Sequence, residues 1–203
     1  MKKIILLLGL LLPARLAMAG EFKALLGVHS SKYLFSSEIT SLNRQQQTGM
    51  AFGLGYAWEI APKMKLEAQA LFGKKGARTA LNYVPGETIT GIYRNTAIAV
   101  PILFSLRLRD GATPYAALGP EFNFLLSHEL SIPEYQKIIN LADNTKKFIF
   151  ALNAALGYEL PLGRWGLFAE LRYNHWLSSL LKSPDAAVKS ESVSLLIGGV
   201  YSL

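Results

Sequence analysis

The residues best equipped for chemistry in this 203-residue chain are three histidines and a set of charged side chains spaced two apart. His175 and Ser179 lie four residues apart, and Glu191 shares their sequence parity. Serine, histidine and an acid can together activate a hydroxyl nucleophile for acyl chemistry. His29 and His128 stand isolated, with no HxxxH or His-acid spacing that would hold a metal. The chain has no cysteine, which removes disulfides, thiolate metal sites and a cysteine nucleophile. No phosphate-binding or dinucleotide fingerprint is present, and Gly53-x-Gly55 reads as close packing. Lys65, Glu67, Arg107, Glu121, Glu170 and Arg172 form the second chemical group, and their meaning depends on which way they point.

Eight segments alternate with period two, the signature of strands. In Met50 to Ile60 the even positions are Met, Phe, Leu, Tyr, Trp and Ile, and the odd positions are Ala, Gly, Gly, Ala and Glu. A soluble sheet would turn the bulk inward. In a narrow membrane barrel the bulk meets lipid, and small or polar residues fill the lumen. The inversion recurs over Pro62 to Lys74, Tyr93 to Leu108, Tyr115 to His128, Phe148 to Leu160, Gly166 to Leu177 and Ser192 to Leu203, and more weakly over Phe22 to Ser30. The fold predicted is all-β, an eight-stranded antiparallel transmembrane barrel in up-and-down order.

The connections give an independent signal. Short turns are expected near Ala61-Pro62, Arg109 to Ala112 and Pro161 to Arg164, and long polar connections at about 31–46, 75–92, 129–146 and 178–191. That strict alternation is the pattern of a barrel with short inner turns and longer outer loops. Tyr56, Trp58, Tyr158, Trp165 and Tyr201 fall near the short-turn end, and Tyr173 and Trp176 near the other, as two interfacial belts would require. Pro101 and Pro120 lie inside strands, where each removes a ladder donor, so bulges or local breaks are expected there.

The first stretch, MKKIILLLGLLLPARLAMAG, has a basic start, a nine-residue apolar run from Ile4 to Leu12 and an Ala-Met-Ala cleavage pattern. It reads as a secretory signal over residues 1–19, leaving the barrel domain at 20–203. The run is too short to cross about 30 Å of hydrocarbon as a helix. The full chain carries 21 basic and 14 acidic residues, a net +7. The leader holds Lys2, Lys3 and Arg15 and no acid, so the mature chain has 18 basic residues against 14 acidic, a net +4. No basic run remains that would footprint nucleic acid, and no nucleic-acid partner is expected.

Glu67 and Gly73 in KLEAQALFGKKG, Lys75-Gly76, Pro101 in AVPILFSLRL and Gly119-Pro120 in YAALGPEFNFLL resemble the outer-membrane β-barrel domain family common in the Bacteroidetes, which includes PorT-like proteins. The resemblance implies an eight-stranded outer-membrane barrel in a Gram-negative envelope and a link to protein secretion. One departure is the C-terminus. Such barrels commonly end in an aromatic residue, whereas here Tyr201 comes two residues early.

These readings set the functional expectations. The charged set should face inward and pair as a plug, with Arg107 joining Glu67 and Glu121. Glu170 and Arg172 should form a second cluster, joined by Lys147 if the stagger of the strands brings it down. Catalytic, cofactor and metal sites are all expected to be none. The runner-up function is a membrane-embedded enzyme acting on outer-membrane lipid through His175, Ser179 and Glu191. It departs from the lipid A deacylases, which carry His-x-Ser-Asn, because Leu177 occupies the nucleophile position. A soluble periplasmic binding barrel is the third reading. Outer-membrane lipid, lipopolysaccharide and envelope or secretion-system proteins are the expected partners of a monomer. Apolar residues at Leu130, Ile132, Tyr135, Ile138, Ile139 and Leu141 could bind such a partner or cap the barrel mouth.

Overall fold

A computed structural model describes residues 20–35, 43–84, 87–108, 113–182 and 187–203. The expected leader, and the turn over residues 109–112, lie outside the described residues. Nine strands form one sheet: β1 (Gly20–Phe35), β2 (Asn43–Ala61), β3 (Met64–Val84), β4 (Glu87–Arg107), β5 (Thr113–Ile132), β6 (Lys137–Asn140), β7 (Phe148–Leu162), β8 (Trp165–Trp176) and β9 (Val188–Ser202). Eight of them close a circle of antiparallel neighbours. β4 pairs β5, β5 pairs β7, and β1 pairs β9 from Glu21↔Ser202 to Phe35↔Val188. Closure leaves no edge with unmet backbone groups, the condition for crossing hydrocarbon. The predicted eight-stranded barrel is therefore the observed one, with the four-residue β6 added as a flap on the outer end of β5.

The alternation sorts the faces as expected. Outward positions expose Met50 at 71%, Leu54 at 68% and Leu156 at 66%, while inward Ala57, Glu67 and Asn153 are buried. A water-soluble barrel cannot leave that much apolar surface uncovered, so the soluble alternative fails. Small inward residues are a steric necessity. A methyl on Gly53 would run into the Ala70 carbonyl and the Leu71 side chain.

The short-turn end is as expected, and the outer end is not. At the short-turn end, Gly163 turns the β7–β8 hairpin with φ +74, a conformation that costs glycine nothing. Outward rings pair there, Tyr56 with Trp58 and Trp165 with Tyr201, each at 4.8 Å between centroids. At the outer end the strands run well past the apolar band. The expected loop at 75–92 is instead a tall hairpin, because β3 and β4 stay paired from Met64↔Leu106 to Val84↔Glu87. Its polar residues misled the reading: a strand standing in water can be polar on both faces. Likewise 129–146 holds the end of β5, β6 and two single 3-10 turns.

Trp176 does not join an outer belt. It follows the inward parity of Glu170, Arg172 and Asn174 and is 1% exposed. The prolines cause no bulge. Register is continuous across Pro101, which pairs Glu121, and across Pro120, which pairs Leu152, with only local gaps in the ladder. The β4–β5 bulge falls higher, where Thr96 pairs Ser127 but Ala97 pairs Leu125. The extra residue, Leu126, flips the parity of everything above it. His128 is thereby turned from the outer wall into the mouth, where it is buried.

Candidate functional site: a charged lumen beneath an aromatic mouth

All six charged residues singled out from sequence face the lumen, but their partners are not those expected. Nearest the short turns, Lys65 pairs with Glu21 and, at 3.6 Å, with Glu159. Arg107 meets the same two carboxylates, Glu159 closely and Glu21 at 3.3 Å. Arg107 therefore reaches neither Glu67 nor Glu121.

In the middle tier Glu67 accepts from Lys23 at 2.8 Å, Ser105 at 3.0 Å and Gln69 at 3.2 Å. Arg172 donates to Glu170 at 2.7 Å and to Gln69 at 3.0 Å, and Tyr115 donates its hydroxyl to Glu170 at 2.9 Å. The Lys23 ammonium also lies 5.2 Å from the Phe168 ring centroid, within cation–π range. Higher up, Glu121 accepts from Asn153 at 2.8 Å and Asn174 at 3.0 Å, with Lys75 at 3.4 Å. Lys147, the suggested partner of the Glu170 cluster, is exposed and takes no part in it.

Five cations (Lys23, Lys65, Lys75, Arg107, Arg172) thus face five carboxylates (Glu21, Glu67, Glu121, Glu159, Glu170). Buried charges are tolerable when each is paired and hydrogen-bonded in this way. The cavity left between Glu121, Asn123, Arg172 and Leu71 measures about 40 Å³, room for a water or two. The arrangement fills the barrel and provides no open pore.

Two of these contacts skip a strand past a glycine. Lys23 is level with Gly55 on β2, and Gly55 with Gln69 on β3. With no side chain at Gly55, Lys23 reaches across β2 to Glu67. Tyr115 is level with Gly157, and Gly157 with Glu170. A methyl at Gly157 would collide with the Tyr115 ring. Sequence reasoning passed over Lys23, Glu21, Glu159 and Lys75 as plug members. Inward parity was the available signal for all four, Lys75 sharing the odd parity of Lys65 and Glu67 on β3.

Above the charges the lumen becomes apolar and aromatic. Tyr33, Ala77, Ile149, Trp176, Leu180 and Val188 form a buried cluster. Asn95 donates to the Tyr33 hydroxyl. The segment after β8 is drawn over this cluster and clipped in place. Leu180 donates to Val188 at 2.7 Å, Lys146 donates to Leu180 at 2.8 Å, and Thr145 bridges Leu181. The two readings of the 129–145 apolar residues divide between them: Leu141 lines the mouth, while Tyr135 and Ile138 point away, exposed.

On the outer wall, His175 Nδ1 lies 3.2 Å from Glu191, which also meets Lys32 at 3.4 Å. The Ser179 hydroxyl accepts instead from the backbone amides of Leu181 and Val188, at 3.2 and 3.1 Å. The structure therefore assembles the histidine and the acid but spends the serine on a turn. Among the described residues, no cluster of histidines, cysteines or acids is suited to a metal.

No protein-family model matches the chain, and no curated protein does. Solved structures do. The outer membrane protein OprG of Pseudomonas aeruginosa aligns over 91% of this chain and 96% of its own, at 13% identity and TM-score 0.54. Neisserial surface protein A aligns over 89% and 96%, at 13% identity and TM-score 0.51. A major outer membrane protein of Thermus thermophilus aligns over 91% and 100%, at 14% identity and TM-score 0.50. At such identities the likeness is one of fold. A closed barrel of that fold, with an exterior made for hydrocarbon, is an outer-membrane β-barrel protein.

Proposed function

We propose that this barrel works through its outer end, as a closed-lumen envelope protein that supports protein secretion or envelope integrity. The observation that carries the reading is the contrast between a filled lumen and an elaborate outer end. Charges occupy the barrel from Glu21 to Glu121, and the cavity beside Glu121 measures about 40 Å³. The β3–β4 hairpin, by contrast, continues paired to Val84↔Glu87, beyond the apolar band. The Bacteroidetes-type, PorT-like resemblance of the Glu67, Pro101 and Gly119-Pro120 motifs supports secretion as the process served. The monomer stands in lipid and lipopolysaccharide, has no need of a cofactor, and meets envelope or secretion-system proteins through its outer loops. Residues 1–19 serve as the export signal.

The test is a deletion strain assayed for exported proteins and for detergent sensitivity. The intact barrel should restore both. A barrel with the β3–β4 hairpin cut back to Gly76 and Arg94 should fold but fail to restore them. Full rescue by the shortened form would overturn the reading. So would porin-size conductance of the purified barrel in a planar bilayer.

A further inference from the structure

One group of charges on the outer wall has no counter-charge. On β3 the outward positions above Phe72 are Lys74, Gly76 and Arg78, since Leu71, Ala77 and Thr79 are buried inward. On β4 the outward residue level with Gly76 is Arg94. Lys74 and Arg78 are therefore its diagonal neighbours across the ladder, at about 7–8 Å. All three side chains are exposed. Among the described residues none of the three has an ion pair. Glu129 on β5 is level with Arg94 but is not bonded to it. Elsewhere the chain pairs its cations, the five of the lumen with carboxylates and Lys32, at the β1 side of the same rim, with Glu191. Like charges on neighbouring strands cost stability, so the cluster favours an anion from outside.

Directly below it the wall carries an apolar groove of about 970 Å³. Its rim is a level row, Leu26, Phe52, Phe72 and Ile98. Its floor lies one residue pair lower, where Ala24, Ala70 and Gly199 are too small to fill the wall. Lys74 stands two residues above Phe72, about 7 Å along the strand. With the short turns on the inner side, this is the level at which headgroups of the outer leaflet meet the barrel. A soluble anion would meet the cations alone. An anion carrying acyl chains also fills the groove.

We propose that Lys74, Arg78 and Arg94 bind a phosphate of one phosphorylated, multiply acylated glycolipid, the chemistry of lipid A, whose chains cross Phe72 and Ile98 into the groove. The two arginines suit the phosphate because the guanidinium fork meets its oxygens two at a time. The proposal rests on the reading that this end of the barrel faces lipopolysaccharide. The secretion assay reads the β3–β4 hairpin, whereas lipid binding by the purified barrel reads this wall, so either can fail alone.

The purified full-length barrel in dodecylmaltoside micelles is titrated with bisphosphorylated lipid A and with the same lipid stripped of its phosphates. Bound lipid is counted by native mass spectrometry. The phosphorylated lipid should form one saturable adduct, and the stripped lipid should bind at least about tenfold more weakly, the worth of one hydrogen bond between charged groups. Joint Lys74→Gln, Arg78→Gln and Arg94→Gln should weaken the phosphorylated lipid by at least about tenfold as well. Lys32→Gln should leave its binding unchanged. Ala70→Phe, which fills the groove floor, should weaken both lipids. Inorganic phosphate in excess should displace neither. Folding of each variant is checked by its heat-dependent gel mobility. If one does not fold, the comparison of the two lipids on the unaltered barrel decides. Equal binding of the two lipids, displacement by inorganic phosphate, a loss in Lys32→Gln as large as in the triple variant, or binding unchanged in the folded triple variant or in folded Ala70→Phe would overturn the proposal.

Discussion

The charged tiers and the mouth occupy the same lumen, yet they are built on opposite principles. In the tiers, cations and carboxylates are matched and little room is left. In the mouth the lining is mostly apolar and aromatic, with Asn144 and Lys182 among it, and the cavity, about 380 Å³, is nearly ten times larger. Pairing of the buried charges holds the barrel together, even though Arg107 Nε, Arg172 Nη1 and the Asn123 amide are left without hydrogen-bond partners. The comparison teaches that the tiers secure the barrel while the mouth keeps the room.

The sharpest way to break the comparison is to unpair the middle tier. Lys23→Met strands Glu67, whose side chain is 3% exposed, at a cost of about 3–5 kcal/mol. The barrel should unfold at markedly lower urea concentration, read by the heat-dependent gel shift. Lys23→Met with Glu67→Leu should recover most of the loss, since an apolar pair needs no partner charge. Failure of the double variant to recover would mean that Glu67 is held by Ser105 and Gln69 rather than by Lys23.

A smaller effect is expected nearer the short turns. The Arg107 side chain is 27% exposed, so water can stand in for it. Arg107→Met should cost about 1–2 kcal/mol, still more than Arg94→Met, whose side chain projects outside the barrel. Equal losses in the two would contradict a charge-paired lumen.

The mouth should respond to pH through His128. His128 has a folded pKa of about 4, lowered from 6.5 by burial. An opened mouth therefore binds a proton more readily than a closed one between those values. Its contribution to closure is complete above pH 6.5 and declines as pH falls toward 4. Burial pushes the facing Tyr93 hydroxyl up, away from that window. Exchange of the Lys146 and Leu180 amides, corrected for intrinsic rates, should speed up over that range and stay flat in His128→Gln. The smallest effect belongs to the outer wall. His175→Ala should change stability by about 0.5 kcal/mol or less and leave envelope lipid composition unaltered. A lipid change abolished by this substitution, at equal barrel abundance, would restore the enzyme reading.

The barrel was legible because period two is a local property of sequence. Met50 to Ile60 alone separates a lipid face from a lumen face, and Glu67, Glu121, Glu170 and Arg172 were placed inside on that basis. Their partners were not legible, because stagger between strands sets which levels meet. Adjacent strands were expected to pair Arg107 with Glu67. Instead Gly55 opens the way from Lys23, a contact that no single strand's pattern encodes. His128 was illegible for another reason. One bulge residue, Leu126, reverses parity, and nothing in Phe124-Leu125-Leu126-Ser127 marks which leucine is extra. Trp176 was legible and misread, since its even number already placed it with Glu170, Arg172 and Asn174.

The strand-skipping contacts also imply an order of assembly. Lys23–Glu67 lies wholly within β1 to β3, and Tyr115–Glu170 within the consecutive barrel strands β5, β7 and β8. Both can form in an open sheet, because neither requires the first strand to find the last. Arg172–Gln69 joins β8 to β3 across the lumen and gains its geometry only when β1 and β9 zip together. Gln69 touches both Glu67 and Arg172, and with the Lys65–Glu159 and Lys75–Glu121 ion pairs it latches the cation-rich N-terminal strands onto the acid-rich C-terminal ones in one cylinder.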